Sequence, residues 1–323
     1  VDATIENILI GNQANLEVFS ATLQQLAETD RDIVVVTSDS RGSGKLVPFG
    51  KKFPDQIVEV GIAEQNLVGV SAGLASAGKK VFAVSPACFL TARALEQIKN
   101  DVAYSDNPVK LVGISAGVSY GALGSTHHSL HDFAVLRTIN NLIIVAPADN
   151  FETEQAIRLA AESDVPVYLR FGKKSMQLLS EDEKTFDFGK ARIVKTGSDL
   201  TIIATGETVF PAIQAAAKLE RESDISVRVV SMHTIKPLDY TQLKNIALEG
   251  KPIITVEEHS VYGGLGEACA SFLLQNQFTN RFCIIGVPDE YTVTGSQQEI
   301  FDHYGISEKG IAEVALDLLK DQN

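Results

Sequence analysis

Basic residues are the scarce charge in this chain of 323 residues: 28 Lys and Arg stand against 41 Asp and Glu, a formal net charge of −13. The shortage argues against nucleic acid as a partner, because phosphate backbones are held by clustered Lys and Arg. It argues equally against an anionic membrane surface. A small anionic ligand in a locally positive site stays open. Long apolar runs are missing too, and none approaches the about 20 residues needed to span a bilayer. Cysteine is sparse: Cys88, Cys269 and Cys283 each sit in an apolar stretch, and no two form a Cys-x-x-Cys pair. Buried free thiols in a reducing compartment are the expectation. The opening segment VDATIENILI lacks the basic start and apolar core of a secretory signal. A cytoplasmic protein is therefore expected.

What is present is enough apolar residue, 45% of the chain, for ordinary globular cores. A length of about 300 residues suggests two domains. Short Val- and Ile-rich runs at 32–39, 56–61, 80–85, 109–115, 142–148 and 165–171 read as strands buried on both faces. Between them, 15–28, 64–77, 89–104 and 151–162 carry helical spacing. A charged stretch without periodicity, 175–190, reads as a linker or surface loop. The alternation then resumes, with strands at 200–206, 226–232, 252–258 and 282–287. Helices are expected at 211–222, 239–249, 266–276 and 309–319, and Pro211 suits a first-turn position. The fold class expected is α/β, with two domains of mostly parallel sheet flanked by helices. Their bounds are 1–178 and 190–323, joined by a linker at 179–189.

Several motifs carry less than they promise. Gly113-Ile114-Ser115-Ala116-Gly117 follows a strand, but a nucleophile elbow turns directly into a helix, and VSYGALGST is a poor helix start. Gly42-Ser43-Gly44-Lys45 lacks the rest of a phosphate loop. Gly263-Gly264-Leu265-Gly266 opens a helix but fits a tight turn better than a dinucleotide fingerprint. His127 and His131 have the i, i+4 spacing of a zinc pair, with only Asp132 nearby as a third ligand, so zinc is a minority reading. His233, His259 and His303 are isolated.

Glu64 stands out on physical grounds. At 3.6 residues per turn it shares a helix face with Leu67, Val68, Ser71 and Ala75. A carboxyl on that apolar face is taken out of water, which disfavours its charge. A first-turn Glu is also what a helix dipole favours, and Glu64 taken alone would be read that way.

It is not alone. VEVGIAEQNLVGVSAGLASAG resembles the segment of the transketolase family around its thiamine-activating glutamate. SPACFLTARALEQIKNDVAYSDNPVKLV resembles the segment supplying that family's aromatic platform, and GSTHHSLHDFAVLRTINNLIIVAPADNFET its histidine loop. SMHTIKPLD and VEEHSVYGGLGEA resemble its C-terminal domain. The resemblance covers nearly the whole chain. It implies a pyrimidine-binding domain followed by a transketolase C-terminal domain. The Gly-Asp-Gly motif of the family's diphosphate domain is absent. The resemblance is thus to the second subunit of a split transketolase. It implies thiamine diphosphate as cofactor, with Mg²⁺ held mainly by an N-terminal, diphosphate-binding partner chain.

Roles follow from the resemblance, residue by residue. Glu64 matches the glutamate that hydrogen-bonds N1′ of the aminopyrimidine. Phe89 matches the aromatic residue packed on that ring, and Ile62 and Arg93 complete the cofactor set. His127 matches the active-site histidine, which can donate or accept protons near neutrality. Arg170 is placed at the substrate's anionic end, and Asp39 matches a polar pocket residue. Four positions depart from the family. Leu123 stands where many members have a sugar-contacting aspartate, and Ser115 where many have a phosphate-contacting histidine. Pro86 replaces an aromatic residue and His131 a glutamate. With the cofactor positions kept and the sugar positions changed, the substrate expected differs from the common pentose phosphates: a branched, deoxy or sulfonated sugar. The activity implied is two-carbon ketol transfer from a ketose to an aldose, by an α2β2 heterotetramer. The rivals are a 2-oxo acid dehydrogenase β subunit, which the Thr126-His127-His128 loop disfavours, and a non-catalytic partner of a thiamine enzyme.

Overall fold

A computed structural model describes residues 13–179 and 185–320. The opening segment weighed as a secretory signal and the middle of the linker lie outside the described residues. Seven strands form the first sheet, in the order Thr234–Lys236, Ile143–Val145, Val167–Arg170, Lys110–Ile114, Lys80–Pro86, Ile33–Thr37 and Ile57–Glu59. All pair in parallel except Thr234–Lys236, which runs antiparallel at the edge. Strand Ile33–Thr37 shows why its sequence has no alternation: Val34 and Val36 pack into one core with Leu67 and Val68, Ile33 and Val35 into another with Phe19 and Ile157. Helices Asn15–Thr29 and Asn150–Glu162 cover one face, and Glu64–Ser76 and Ala87–Arg93 the other. The second sheet has five strands, in the order Phe282–Val287, Ile253–Ser260, Leu200–Ala204, Val227–Ser231 and Arg192–Lys195, the last antiparallel.

Three expectations need correction. The helix read at 89–104 breaks at Ala94 and continues as Leu95–Gln97 and a wider π-helical turn, Ile98–Tyr104. The two halves also share a sheet. Strand Thr234–Lys236 belongs by sequence to the second half but pairs with Ile143–Val145 of the first. Three residues before a proline give too short a signal to register as a strand. Finally, part of the stretch read as linker is packed. Ser175–Met176 pairs with Gln13–Ala14, and Phe186 is buried with its ring stacked 4.1 Å from that of His233.

A polar network fastens the halves together. Glu258 accepts the Val118 N–H at 2.9 Å, and Gln297 Nε2 bridges Glu258 at 2.7 Å and Glu207 at 2.6 Å. Gly117, at φ +60°, lies so close that a Cβ there would fall 2.1 Å from the Glu258 carboxyl carbon, so a side chain is excluded on both counts. Arg192 pairs with Glu152 at 2.8 Å, and Ser231 donates to the same carboxylate at 2.9 Å. The glycine turn at 263–266 serves the chain's own anion: Glu257 accepts the Leu265 and Gly266 N–H groups at 2.7 and 2.9 Å, at the start of helix Leu265–Gln275. Burial pushes the Glu257 carboxyl up to about 7 despite those bonds.

Candidate active site

Asp39, Ile62, Ser115 and Arg170 all lie at or just beyond the carboxyl ends of parallel strands, the edge where open α/β sheets take their ligands. The turn leading to Glu64 is held by Glu59. Its carboxylate accepts the Asp39 N–H at 2.7 Å, the Gly61 N–H at 3.0 Å and the Thr37 hydroxyl at 2.7 Å. Burial pushes Glu59 up, but these bonds and Arg41 outweigh it and hold the carboxyl below its usual range. Gly61 sits at φ +74° and Asp39 at φ +53°, so the loops leave their strands sharply.

Helix Glu64–Ser76 opens from that turn with Glu64 on its buried face, only 3% exposed. Arg93, at the end of helix Ala87–Arg93, reaches it through Nη1 at 3.0 and 3.2 Å. The sequence reading gave Glu64 burial but no counter-charge; the structure supplies one. One helical turn back, the Phe89 ring lies under the Arg93 guanidinium at 4.4 Å. The His127 ring meets Phe89 edge to face at 5.4 Å and Tyr120 at 5.5 Å. The Lys173 ammonium lies 4.0 Å from the Tyr120 ring. Glu64, Arg93, Phe89, His127, Tyr120 and Lys173 thus form one continuous strip. An open cleft of about 710 Å³, lined by Ile62, Ala63, Glu64, Gln65, Asn66 and Arg93, adjoins its acidic end. Ile62 stands on the rim, 74% exposed.

The histidine loop is fixed from behind. His128 is buried, with Nδ1 2.6 Å from the Thr292 hydroxyl and Nε2 3.0 Å from the Gly121 carbonyl. His127 lies in a turn and His131 caps helix Asp132–Arg137, so the two do not share a helix face as the zinc reading required. His131 Nε2 instead meets the Thr91 hydroxyl at 3.2 Å. Among the described residues, no group of three His, Cys, Asp or Glu is arranged to hold a metal.

Ser115 is wholly buried at φ +53°, and the chain beyond it forms turns rather than the helix a nucleophile elbow needs. Burial pushes the neighbouring Tyr120 phenol up, with the Ser115 hydroxyl acting against that. Leu123 ends a short turn, Gly121–Leu123, 54% exposed. Arg170, placed by the sequence at a substrate's anionic end, is 6% exposed and held by the chain's own groups. Its Nε meets Asp132 at 2.7 Å, and Nη2 donates to the Ser129 and Glu258 carbonyls at 3.2 and 2.8 Å. Sequence reasoning missed Tyr120, Lys173 and the His128–Thr292 tie. A lysine pair just after a strand in an acidic chain was the one available sign.

The residues fit the pyrimidine half of a thiamine cofactor. Glu64 is desolvated and, among the described residues, its hydrogen bonds come from Arg93 alone. Its carboxyl keeps room on the cleft side to share a proton with a ring nitrogen, and Phe89 offers a half-buried ring beside it.

Comparison with known proteins agrees. The transketolase pyrimidine-binding domain family matches residues 12–177, and the transketolase C-terminal domain family matches 189–311. The chain is 51% identical, over 94% of its length and 96% of the relative's, to a subunit of the apulose-4-phosphate transketolase of Phocaeicola vulgatus. It is 38% identical, over 94% of its length and 96% of the relative's, to a putative transketolase C-terminal section of Methanocaldococcus jannaschii. Among solved structures, a split-gene transketolase described as an inactive β4 tetramer superposes with a TM-score of 0.85 at 34% identity, covering 95% of this chain and 98% of that one. The chain belongs to the transketolase family, as the subunit of a split transketolase that carries the pyrimidine-binding and C-terminal domains.

Proposed function

We propose that this subunit forms its active site against a diphosphate-binding partner chain, in an α2β2 heterotetramer, and transfers a two-carbon ketol unit from a phosphorylated, branched ketose to an aldose. The observation that carries the reading is the Glu64 carboxyl, buried to 3% exposure beside an open cleft, with Arg93 and Phe89 at its side.

Thiamine diphosphate, held through Mg²⁺ on the partner, supplies the electron sink for carbon–carbon cleavage when bound. Glu64 would share a proton with N1′ of the pyrimidine, the carboxyl O–H donating to the ring nitrogen. Arg93 holds the Glu64 carboxyl through Nη1 and orients it. Phe89 packs against the ring and fixes its tilt. Ile62, on the rim, closes the apolar side of the ring against the partner. His127, wedged between Phe89 and Tyr120, moves protons at the sugar oxygens. Asp39 and Leu123 border the sugar path, and Ser115, wholly buried, acts on it through its neighbour Tyr120.

Apulose 4-phosphate is the substrate we infer, on the identity to the Phocaeicola protein and on the altered sugar positions Ser115 and Leu123. A cytoplasmic setting is in keeping with three free cysteines. No helix among the described residues is long and apolar enough to cross a membrane.

The test is reconstitution with the partner chain, thiamine diphosphate and Mg²⁺. Ketol transfer from apulose 4-phosphate, with xylulose 5-phosphate and ribose 5-phosphate turned over poorly, is the expected result. Sedimentation should give a two-plus-two assembly. Release of CO₂ from pyruvate would favour the dehydrogenase instead. Turnover indifferent to Glu64→Gln would favour a non-catalytic partner.

A further inference from the structure

With Arg170 withdrawn into the interface, the strip has a different cation at its far end. Lys173 lies three residues beyond Arg170, exposed where Arg170 is buried. Among the described residues its ammonium makes no ion pair; its neighbour is the Tyr120 ring, 4.0 Å away. Lys174 is turned elsewhere. It donates to Gln298 at 3.2 Å, stands 5.3 Å from the Phe301 ring, and lines a separate hollow of about 610 Å³ between the halves. Only one lysine of the pair therefore faces the histidine loop.

The groups run in contact from the acid to the ammonium, the succession of functions an anion-ended sugar would meet. The acid that faces the cofactor stands at one end. The Phe89 ring follows, then His127, then Tyr120, each centroid within 5.5 Å of the next, and Lys173 closes the series. In a chain of net charge −13, an ammonium without a carboxylate beside it is the feature an anion would find.

We propose that Lys173, held in position by the Tyr120 ring, is the receptor for a tetrahedral oxyanion at the end of the sugar remote from its reacting carbonyl, the role the sequence gave to Arg170. The proposal rests on the ketol-transfer reading above for the direction in which the sugar lies. The shared chemistry covers a phosphate ester and a sulfonate.

Two measurements test it. In the complex with the partner chain, Lys173→Met should raise KM about tenfold or more for the phosphorylated ketose of the assay above. Its kcat should stay within about twofold, and KM for the same ketose without phosphate should be unchanged. Lys173→Arg should restore most of the loss, and Tyr120→Leu should reproduce part of it. Equal KM changes for both sugars, or none, would overturn the proposal while leaving ketol transfer intact.

The second measurement does not need turnover. The full chain is titrated with inorganic phosphate and, separately, inorganic sulfate while the His127 ring signals are followed by NMR, with His128 as the fold control. A His127 response in the wild type that needs about tenfold more anion in Lys173→Met supports the proposal. The preferred anion then tells a phosphate ester from a sulfonate. No response to either anion, or the same response in the variant, overturns it.

Discussion

Around Arg170 every charge is met on several sides; around Glu64 it is met on one. Asp132 shows the first condition. Burial pushes its carboxyl up, but the Arg170 guanidinium and the Tyr168 hydroxyl at 2.8 Å outweigh that and hold it below the usual range. His259 approaches Asp132 at 3.8 Å, but burial pushes its ring down to about 4, so near neutral pH this is no ion pair. Glu258 and Glu207 share Gln297, and Glu258 also lies 3.8 Å from Arg170. At the other region, among the described residues, Glu64 has only Arg93, itself about half exposed, and a cleft on its open side. Both regions hold buried acids paired with arginines. The difference is openness: the groups around Arg170 face one another inside the joint between the halves, although Asp132 Oδ1, Glu207 Oε1 and Glu258 Oε2 have no hydrogen-bond partner there among the described residues, whereas the Glu64 carboxyl adjoins an open cleft. Sequence alone classed Arg170 and Glu64 together, since either residue type suits either task.

The comparison breaks first at Glu64. Glu64→Gln in the reconstituted complex should cut ketol transfer by about 10²- to 10⁴-fold, with the urea midpoint of the chain unchanged. A large stability change with activity preserved would move Glu64 into the structural class. The next largest effect is at Arg170. Arg170→Met leaves the Asp132 carboxylate buried without its cation, and a loss of about 3–5 kcal/mol is expected by urea unfolding. A stable variant with a raised KM would return Arg170 to the substrate site.

A smaller effect sharpens the interface side. Burial and the nearby Glu207 push the Glu258 carboxyl up from 4.5 to about 8. An acid whose folded value exceeds its unfolded one holds its proton more tightly when folded. Its contribution to stability is whole below about pH 4.5 and is lost as pH rises through about 8. Relative to Glu258→Gln, the wild type should therefore lose about 3–4 kcal/mol between about pH 5 and pH 8, at about 1.4 kcal/mol per pH unit. Urea midpoints of both proteins across that range decide it, and parallel curves would mean the acid is ionised throughout. The smallest effect is at Leu123, 54% exposed in its turn. Leu123→Ala should shift stability by no more than about 0.5 kcal/mol, and any effect should appear in the choice of sugar, read as the ratio of kcat/KM values.

Much of the fold was legible. Strands such as Ile33–Thr37 and Lys110–Ile114 are short, β-branched and bounded by turn residues, and helix Asn15–Thr29 carries its 3.6-residue spacing plainly. The antiparallel edge strands Arg192–Lys195 and Thr234–Lys236 were not legible, because three or four residues hold no period. The break at Ala94 was hidden as well, since Leu95 to Tyr104 keep apolar residues at helical intervals. At the site, Glu64 and Phe89 were found because each lies in a long segment resembling the family. Tyr120 and Lys173 sit in loops, where no periodicity constrains the residue and only neighbours in space give it meaning.

Linear order sufficed for the alternation of strands and helices, for the cluster of site residues around Glu64, and for the kinship that gives them roles. These depend on local spacing and on ordered segments, which a string of residues preserves. Closure of the fold was needed to show that Arg93 answers Glu64, that Arg170 is held by Asp132, and that Thr234–Lys236 ties the second half into the first half's sheet. Each of these is a meeting of groups far apart along the chain. What a charged group can do depends on which partners have already claimed it, and that is settled when the halves close on each other.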